Sequence, residues 1–327
     1  MIERDDIAPS DLHGLIETFF ARSFGTDNPL ITEAVRRMLA AGGKRLRPRL
    51  LLLAASAAGA DPRDHLALAA YMELIHVATL IHDDVVDRAD TRRGVNATAV
   101  DFGNRISVLA GDYLFAWIFR NVTAGYRPPI PHILSATLAE ICDGEVLQLQ
   151  ALGNLDLTTE EYVEIVRLKT ASLFAASAAC GAIDADGEDE TVRALRAFGL
   201  NYGIAFQMRD DLLDLTGDEA ALGKPVGNDL RERKMTIPVV LAAETGDQEV
   251  RAALGRCYDD PDPSATTMAE TVAAIFAAGA VGKTREAISG YVERAKRALA
   301  PLAGSPTRST LIEFAEALDR DTEHARP

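Results

Sequence analysis

Residues 71–94 read YMELIHVATLIHDDVVDRADTRRG, and this stretch decides how the rest of the chain is read. It opens as an almost unbroken apolar run and closes on three carboxylates, Asp83, Asp84 and Asp87. At about 100° per residue, a helix brings Asp83 and Asp87, and likewise Asp84 and Asp87, onto one face. Three like charges there, with no lysine one turn away, destabilise an isolated helix. Hard divalent cations such as Mg²⁺ take oxygen ligands and would remove that repulsion. Arg92 and Arg93 follow, and guanidinium groups suit phosphate oxygens. Alone, the pattern also describes a solvated acidic helix end.

A second copy of the pattern changes its weight. Residues 206–214 read FQMRDDLLD, with Asp210, Asp211 and Asp214 at the same spacing after another helix-compatible run. Two such clusters facing one cavity could share metal ions, neutralise a diphosphate and draw off its electrons as it leaves.

The bulk properties narrow the partners. A net charge of −15 argues against nucleic acid as a partner and repels anions at long range, so a phosphate site needs local cations or metal. Hydrophobic residues make up 48%, enough for a large core, and no uncharged run reaches the 18 or so residues of a membrane span. The start, MIERDDIAPSDL, has neither a secretory apolar region nor the Arg/Ser bias of a transit peptide, and the expected location is the cytoplasm. Cys142, Cys180 and Cys257 fit no metal-ligand spacing and are expected to be buried thiols.

Helix formers dominate throughout and no segment alternates with period two. The pattern predicts helices near 10–21, 30–41, 45–58, 64–88, 104–123, 131–151, 159–181, 190–216, 230–244, 264–279, 282–302 and 307–319. No linker or compositional break divides the chain. One all-α domain over residues 1–327 is therefore expected, with 1–28 as a peripheral N-terminal helix.

Several smaller features gain meaning beside the aspartates. Residues 42–48, GGKRLRP, group Lys44, Arg45 and Arg47 at a helix start, either an anion cradle or a solvated turn. His76 lies two helical turns before Asp83 on nearly the same face, whereas His82 points about 100° away and is expected to be structural. Lys169 and Thr170 sit mid-helix, and Gln207 shares the face of the second cluster. The glycine-rich loop 217–229 carries Lys224, with Lys234 just beyond, and reads as a lid over phosphate or as an ordinary surface loop.

With GGKRLRP, DDVVD then TRRG, Lys169–Thr170, FQMRDDLLD and GKPVGND in this order, the chain resembles the trans-isoprenyl diphosphate synthases. The lines HVATLIHDDVVDRADTRRG, SVLAGDYLFAWIF and EICDGEVLQL look most like bacterial long-chain polyprenyl diphosphate synthases. The resemblance implies a single-domain barrel of antiparallel helices around a central cavity, the isoprenoid synthase fold, in a homodimer. It implies a Mg²⁺-dependent prenyltransferase that condenses isopentenyl diphosphate head-to-tail onto an allylic prenyl diphosphate. Asp83, Asp84, Asp87, Asp210, Asp211 and Asp214 would hold three Mg²⁺ ions on the allylic diphosphate. Arg92 would bind that diphosphate, and Lys44, Arg47, His76 and Arg93 would bind isopentenyl diphosphate. Lys169, Thr170 and Gln207 would line the reacting centre, with Lys224 and Lys234 closing over the phosphates. One departure is Arg233, where the family more often has glycine before the lysine, which leaves the role of Lys234 less defined than that of Lys169.

Product length is read at Ala78 and Thr79, one turn and more before Asp83, where shorter-chain members often carry an aromatic. Neither side chain is large enough to floor a cavity, so a product of about C30 to C45 is expected. Transient membrane contact for product release, with no spanning segment, completes the expectation. The alternatives are a geranylgeranyl or farnesyl diphosphate synthase, favoured if Trp117 or a neighbour enters the tunnel, a terpene cyclase, a non-catalytic prenyltransferase subunit, and a helical scaffold. The complete second DDxxD, with Lys44 and Arg47, argues against the last three.

Overall fold

The computed structural model describes residues 9–92, 94–217, 227–302, 304 and 306–323. Its contacts divide into two compact units, residues 1–135 with 177–193 and residues 136–176 with 194–327, and each boundary falls inside a helix. Among the described residues the only strands are two short ones, β1 (Thr91–Arg92) and β2 (Val95–Asn96), paired antiparallel. The rest of the regular structure is helical, as the composition predicts.

In the first unit, α1 spans Pro9–Ser23, α2 Pro29–Ala40, α3 Leu46–Ala57 and α4 Leu66–Val86. Helix α2 starts where Asn28 accepts the Leu30 N–H and Pro29 presets the first turn. Helix α4 is apolar on nearly all sides and is buried accordingly, with twelve of its residues inside. By length and composition it could cross a membrane, but 67% of its apolar window is buried within the protein, which marks a core helix.

After the hairpin come α5 (Thr98–Phe102) and α6 (Asn104–Gly125), and α4 packs most extensively on α6. A Cβ at Gly111 would lie 2.2 Å from His82 Nε2, so glycine is what lets α6 close onto α4 there. His82 packs into this helix contact, with Nε2 3.1 Å from the Val108 carbonyl oxygen. Farther along α4, Tyr71 meets Trp117 edge-on with ring centroids 5.7 Å apart, and Trp117 meets Phe24 at 5.3 Å.

In the second unit the chain continues from α7 (Ile130–Gln150) into α8 (Thr159–Val166), whose start is a reciprocal capping box between Thr158 and Glu161. Residues 167–171 then form a π turn that leads without a break into α9 (Ser172–Asp184), so the expected helix 159–181 is present with one widened turn. Helix α10 runs from Asp189 to Thr216, and α11 covers Asn228–Arg231. The expected helix 230–244 is broken: Arg233 adopts φ 59°, and α12 (Ile237–Ala243) starts anew with proline in its first turn.

Helix α13 (Gln248–Asp259) was not expected, although Val250, Ala253, Leu254, Cys257 and Tyr258 form its buried stripe. Helices α14 (Ala265–Ala277), α15 (Ala280–Ala298) and α16 (Pro306–Glu323) complete the unit, and Phe314 of α16 stacks on Tyr202 of α10 at 4.6 Å. Of the three cysteines, Cys180 and Cys257 are buried as expected and Cys142 is exposed.

Candidate active site

The first aspartate cluster sits at the C-terminal end of α4. Asp83 and Asp84 occupy the last turn and Asp87 caps it, its N–H donating to the Asp83 carbonyl at 2.8 Å. Carboxylates here oppose the helix dipole, so a cation must offset them. Arg92 on the hairpin supplies it, with Nε 2.7 Å and Nη2 2.6 Å from Asp84 Oδ1. Asp84 is fully buried, and its Oδ2 has no hydrogen-bond partner. Burial raises its pKa, opposed by the Arg92 guanidinium and the Thr98 backbone N–H. Asp83 and Asp87 are half-buried.

His76 is half-buried two turns up α4. Ala78 is fully buried and Thr79 half-buried, the Thr79 hydroxyl donating to the His76 carbonyl at 2.8 Å. In the basic turn Lys44 is exposed and Arg47 half-buried, but Arg45 turns inward. Its backbone is left-handed (φ 48°), and its guanidinium lies 2.5 Å from Glu73 and donates to the Leu39 carbonyl at 2.8 Å. A buried ion pair with a further hydrogen bond holds α3 to α4 and takes Arg45 out of any anion cradle. Arg93 lies outside the described residues, as does Lys224.

The second cluster lies on α10 beside a cavity of about 120 Å³. Its lining includes Tyr162, Lys169, Thr170, Gln207, Asp211 and Lys234. Four of the residues singled out in the sequence, Lys169, Thr170, Gln207 and Asp211, therefore meet there, with Lys234 as a fifth. Asp211 is nearly fully buried and collects three donors: Tyr162 Oη at 2.6 Å and the Ile237 N–H at 3.1 Å on Oδ2, and Gln207 Nε2 at 2.8 Å on Oδ1. Burial outweighs these donors and pushes the Asp211 pKa up to about 6. Gln207 in turn accepts the Thr170 hydroxyl at 2.9 Å.

Lys169 reaches Gln148 Oε1 at 2.5 Å and pairs with the Glu145 carboxylate. Lys234 pairs with Glu232 at 2.6 Å. Asp210 is the most open carboxylate of the cluster, 42% exposed, and is held by Arg209, which is itself buried, bonded to Asp321 at 2.9 Å and placed over the Phe206 ring. Asp214 is buried and accepts the Asp229 N–H at 3.0 Å.

Two glycines make this arrangement possible. A Cβ on Gly144 of α7 would lie 2.5 Å from the Lys169 backbone nitrogen, and one on Gly203 of α10 would lie 2.6 Å from Ala171 Cα. The π turn carrying Lys169 and Thr170 is thus seated against α7 and α10 at backbone distance. Sequence inspection overlooked Tyr162, Glu145, Gln148 and Arg209. Tyr162 had a usable signal, since it stands two helical turns before Lys169 on the same face.

The oxygen-rich clusters suit a hard divalent cation. Among the described residues no three carboxylate, imidazole or thiolate groups converge on one point. Mg²⁺ does not need that, because it is usually held by one or two carboxylates with water and substrate phosphates. The buried, unpartnered Asp84 Oδ2 is the kind of atom such an ion satisfies.

Comparison with known proteins agrees with this chemistry. The Polyprenyl synthetase family model matches residues 28–275. Octaprenyl diphosphate synthase of Escherichia coli (strain K12) is 36% identical over 97% of this chain and 98% of its own length. The crystal structure of a decaprenyl diphosphate synthase from Rhodobacter capsulatus superposes with a TM-score of 0.89 at 38% identity, covering 97% of each chain. A polyprenyl synthase from Caulobacter crescentus CB15, complexed with calcium and isoprenyl diphosphate, gives 0.87 at 36% identity over 97% of this chain and 94% of that one. The fold is the all-α isoprenoid synthase fold, and the chain belongs to the polyprenyl synthetase family of prenyltransferases.

Proposed function

We propose that this chain is a Mg²⁺-dependent all-trans-polyprenyl diphosphate synthase, adding isopentenyl diphosphate head-to-tail to an allylic primer and making a long product of about C30 to C45. The observation that carries the reading is the cavity where Lys169, Thr170, Gln207 and Asp211 meet beside the second aspartate cluster. The likeness to octaprenyl and decaprenyl diphosphate synthases supports a long product.

Asp83, Asp84, Asp87, Asp210, Asp211 and Asp214 would hold the metal, as three ions with substrate bound. Bound there, Mg²⁺ would neutralise the allylic diphosphate as a leaving group. Arg92 would bind the same diphosphate, while Lys44, Arg47, His76 and Arg93 would hold isopentenyl diphosphate. Lys224 and Lys234 would close over the phosphates. Departure of the diphosphate leaves an allylic cation, which the double bond of isopentenyl diphosphate attacks. Loss of a proton, to the departing diphosphate, then restores an allylic product. The protein needs no nucleophile: it aligns two substrates, presents oxygen acceptors to the cation and keeps water away.

Exposed Val108 and Leu109 on α6, and Val146 and Leu149 on α7, support a homodimer. The enzyme would work in the cytoplasm and touch the membrane only to release product. A shorter product of about C20 is the second reading. Trp117 meets Tyr71 edge-on, Tyr71 stands seven residues before Ala78 on the same face of α4, and this pair could floor a tunnel about 10.5 Å beyond Ala78.

The test is incubation of the purified protein with Mg²⁺, labelled isopentenyl diphosphate and an allylic primer, with and without a chelator. Label should enter an organic-soluble linear chain only when metal is present. A cyclic hydrocarbon, or no turnover, would reject the synthase assignment.

A further inference from the structure

Tyr162 is 3% exposed, lines the cavity and places its hydroxyl 2.6 Å from Asp211 Oδ2. An ionised carboxylate accepts hydrogen bonds and donates none. Asp211 therefore forces the Gln207 side chain to turn its amide nitrogen toward it, at 2.8 Å. The Gln207 carbonyl oxygen then faces the Thr170 hydroxyl, at 2.9 Å. The direction of this chain matters electrostatically. A Gln207 amide turned the other way would offer N–H groups, and these would repel a developing positive charge.

We infer that Tyr162 is a positioning residue for the condensation: it holds Asp211, and through Asp211 it fixes the Gln207 amide with its oxygen on the Thr170 side of the cavity. This rests on the functional reading above and adds to it a residue that the substrates need not touch. The Ile237 N–H on the same carboxylate oxygen keeps Asp211 in place from a second side. A Tyr162→Phe change therefore loosens the chain without dismantling it. It keeps the ring volume and removes one donor from a buried carboxylate.

The experiment compares wild type, Tyr162→Phe, Gln207→Ala and the double variant in steady-state condensation of labelled isopentenyl diphosphate. Tyr162→Phe should lower kcat about tenfold, with the KM for isopentenyl diphosphate within about twofold of wild type. In the Gln207→Ala background the same change should cost nothing further, because the amide it orients is gone. Full kcat in Tyr162→Phe, a loss that multiplies in the double variant, or a change confined to KM would each overturn the inference. So would a Tyr162→Phe protein that no longer folds by circular dichroism, since the hydroxyl would then be structural. Wild-type protein that fails to condense the substrates at all rejects the functional reading itself, a separate result.

Discussion

Replacing Gly144 by alanine tests how the lysine and threonine of the cavity are held. The added Cβ would sit 2.5 Å from the backbone nitrogen of Lys169 and 2.9 Å from both Lys169 Cα and Leu168 Cβ. Carbon at that distance from backbone is not tolerated, and no flexible side-chain end is there to swing aside. To reach even 3.0 Å the π turn or α7 must move by about 0.5 Å, and ordinary contact at 3.4 Å needs about 0.9 Å. Gly203 faces Ala171 Cα just as closely, so the turn has little room to retreat toward α10. The displacement falls on the residues that carry Lys169 and Thr170.

A misplacement of about 1 Å in a positioned group can cost 10²-fold in rate, so a shift of half that or more should lower kcat about 10- to 100-fold. Overpacking at the same contact should cost about 1–3 kcal/mol of stability. The assay is kcat for condensation, measured well below the melting temperature of the variant and paired with a thermal melt. Gly290→Ala is the control, because nothing lies within 4 Å of the Cβ it would add to α15. That change should leave kcat alone and stabilise the helix by about 0.5–1 kcal/mol. Gly144→Ala with wild-type kcat and an unchanged melt would show that the π turn yields freely and that its backbone seat does not position the cavity.

Three further outcomes are expected. Asp83→Ala and Asp210→Ala should each reduce turnover by about 10²-fold or more in saturating Mg²⁺, and near-normal rates in either would remove that residue from the metal site. Asp211, with its pKa raised to about 6 from 3.8, contributes stability that is present below about pH 4 and lost as pH climbs through 6. The difference in urea midpoint between wild type and Asp211→Asn should therefore fall across that window by the equivalent of about 3 kcal/mol at most, and parallel midpoints would contradict the burial account. Ala78→Tyr adds a ring at a fully buried position and should shorten the product to about C15–C20 at retained turnover, which chromatography of the products would check against an unchanged length.

The long helices were legible because helix formers, apolar periodicity and Gly/Pro breakers agree along most of the chain. Helix α13 was not expected, although the spacing of Val250, Ala253, Leu254, Cys257 and Tyr258 behind the Asp247 cap carries a helical period. The DDxxD spacing marked both carboxylate clusters, Asp211 of the cavity among them, whereas Lys169, Thr170 and Gln207 were picked out through the family resemblance. Direction was the missing information. GGKRLRP looks like three equivalent cations, yet a left-handed backbone at Arg45 sends that one into the core against Glu73. Nothing local to EICDGEVLQL says that Gly144 will meet the backbone of Lys169, because that contact exists only once α7 and the π turn are packed.

The ion pairs explain how an acidic chain keeps cations ready for an anionic ligand. Arg92 rests on Asp84 at 2.6 Å, Lys169 on Glu145, and Lys234 on Glu232 at 2.6 Å. Long cationic side chains lose about 1.5–2 kcal/mol of rotamer freedom when they are ordered. A carboxylate partner already in the fold meets much of that cost before any substrate arrives. The same partner also offsets part of the attraction each cation can offer, so under the proposed function a diphosphate would compete with a carboxylate at each of these contacts. Surplus positive charge must then enter with the ligand, which is what a divalent ion brings. On this view the carboxylates around the two clusters do two jobs. They order the cations, and under the proposed function they would make diphosphate binding dependent on metal in a protein whose net charge is −15.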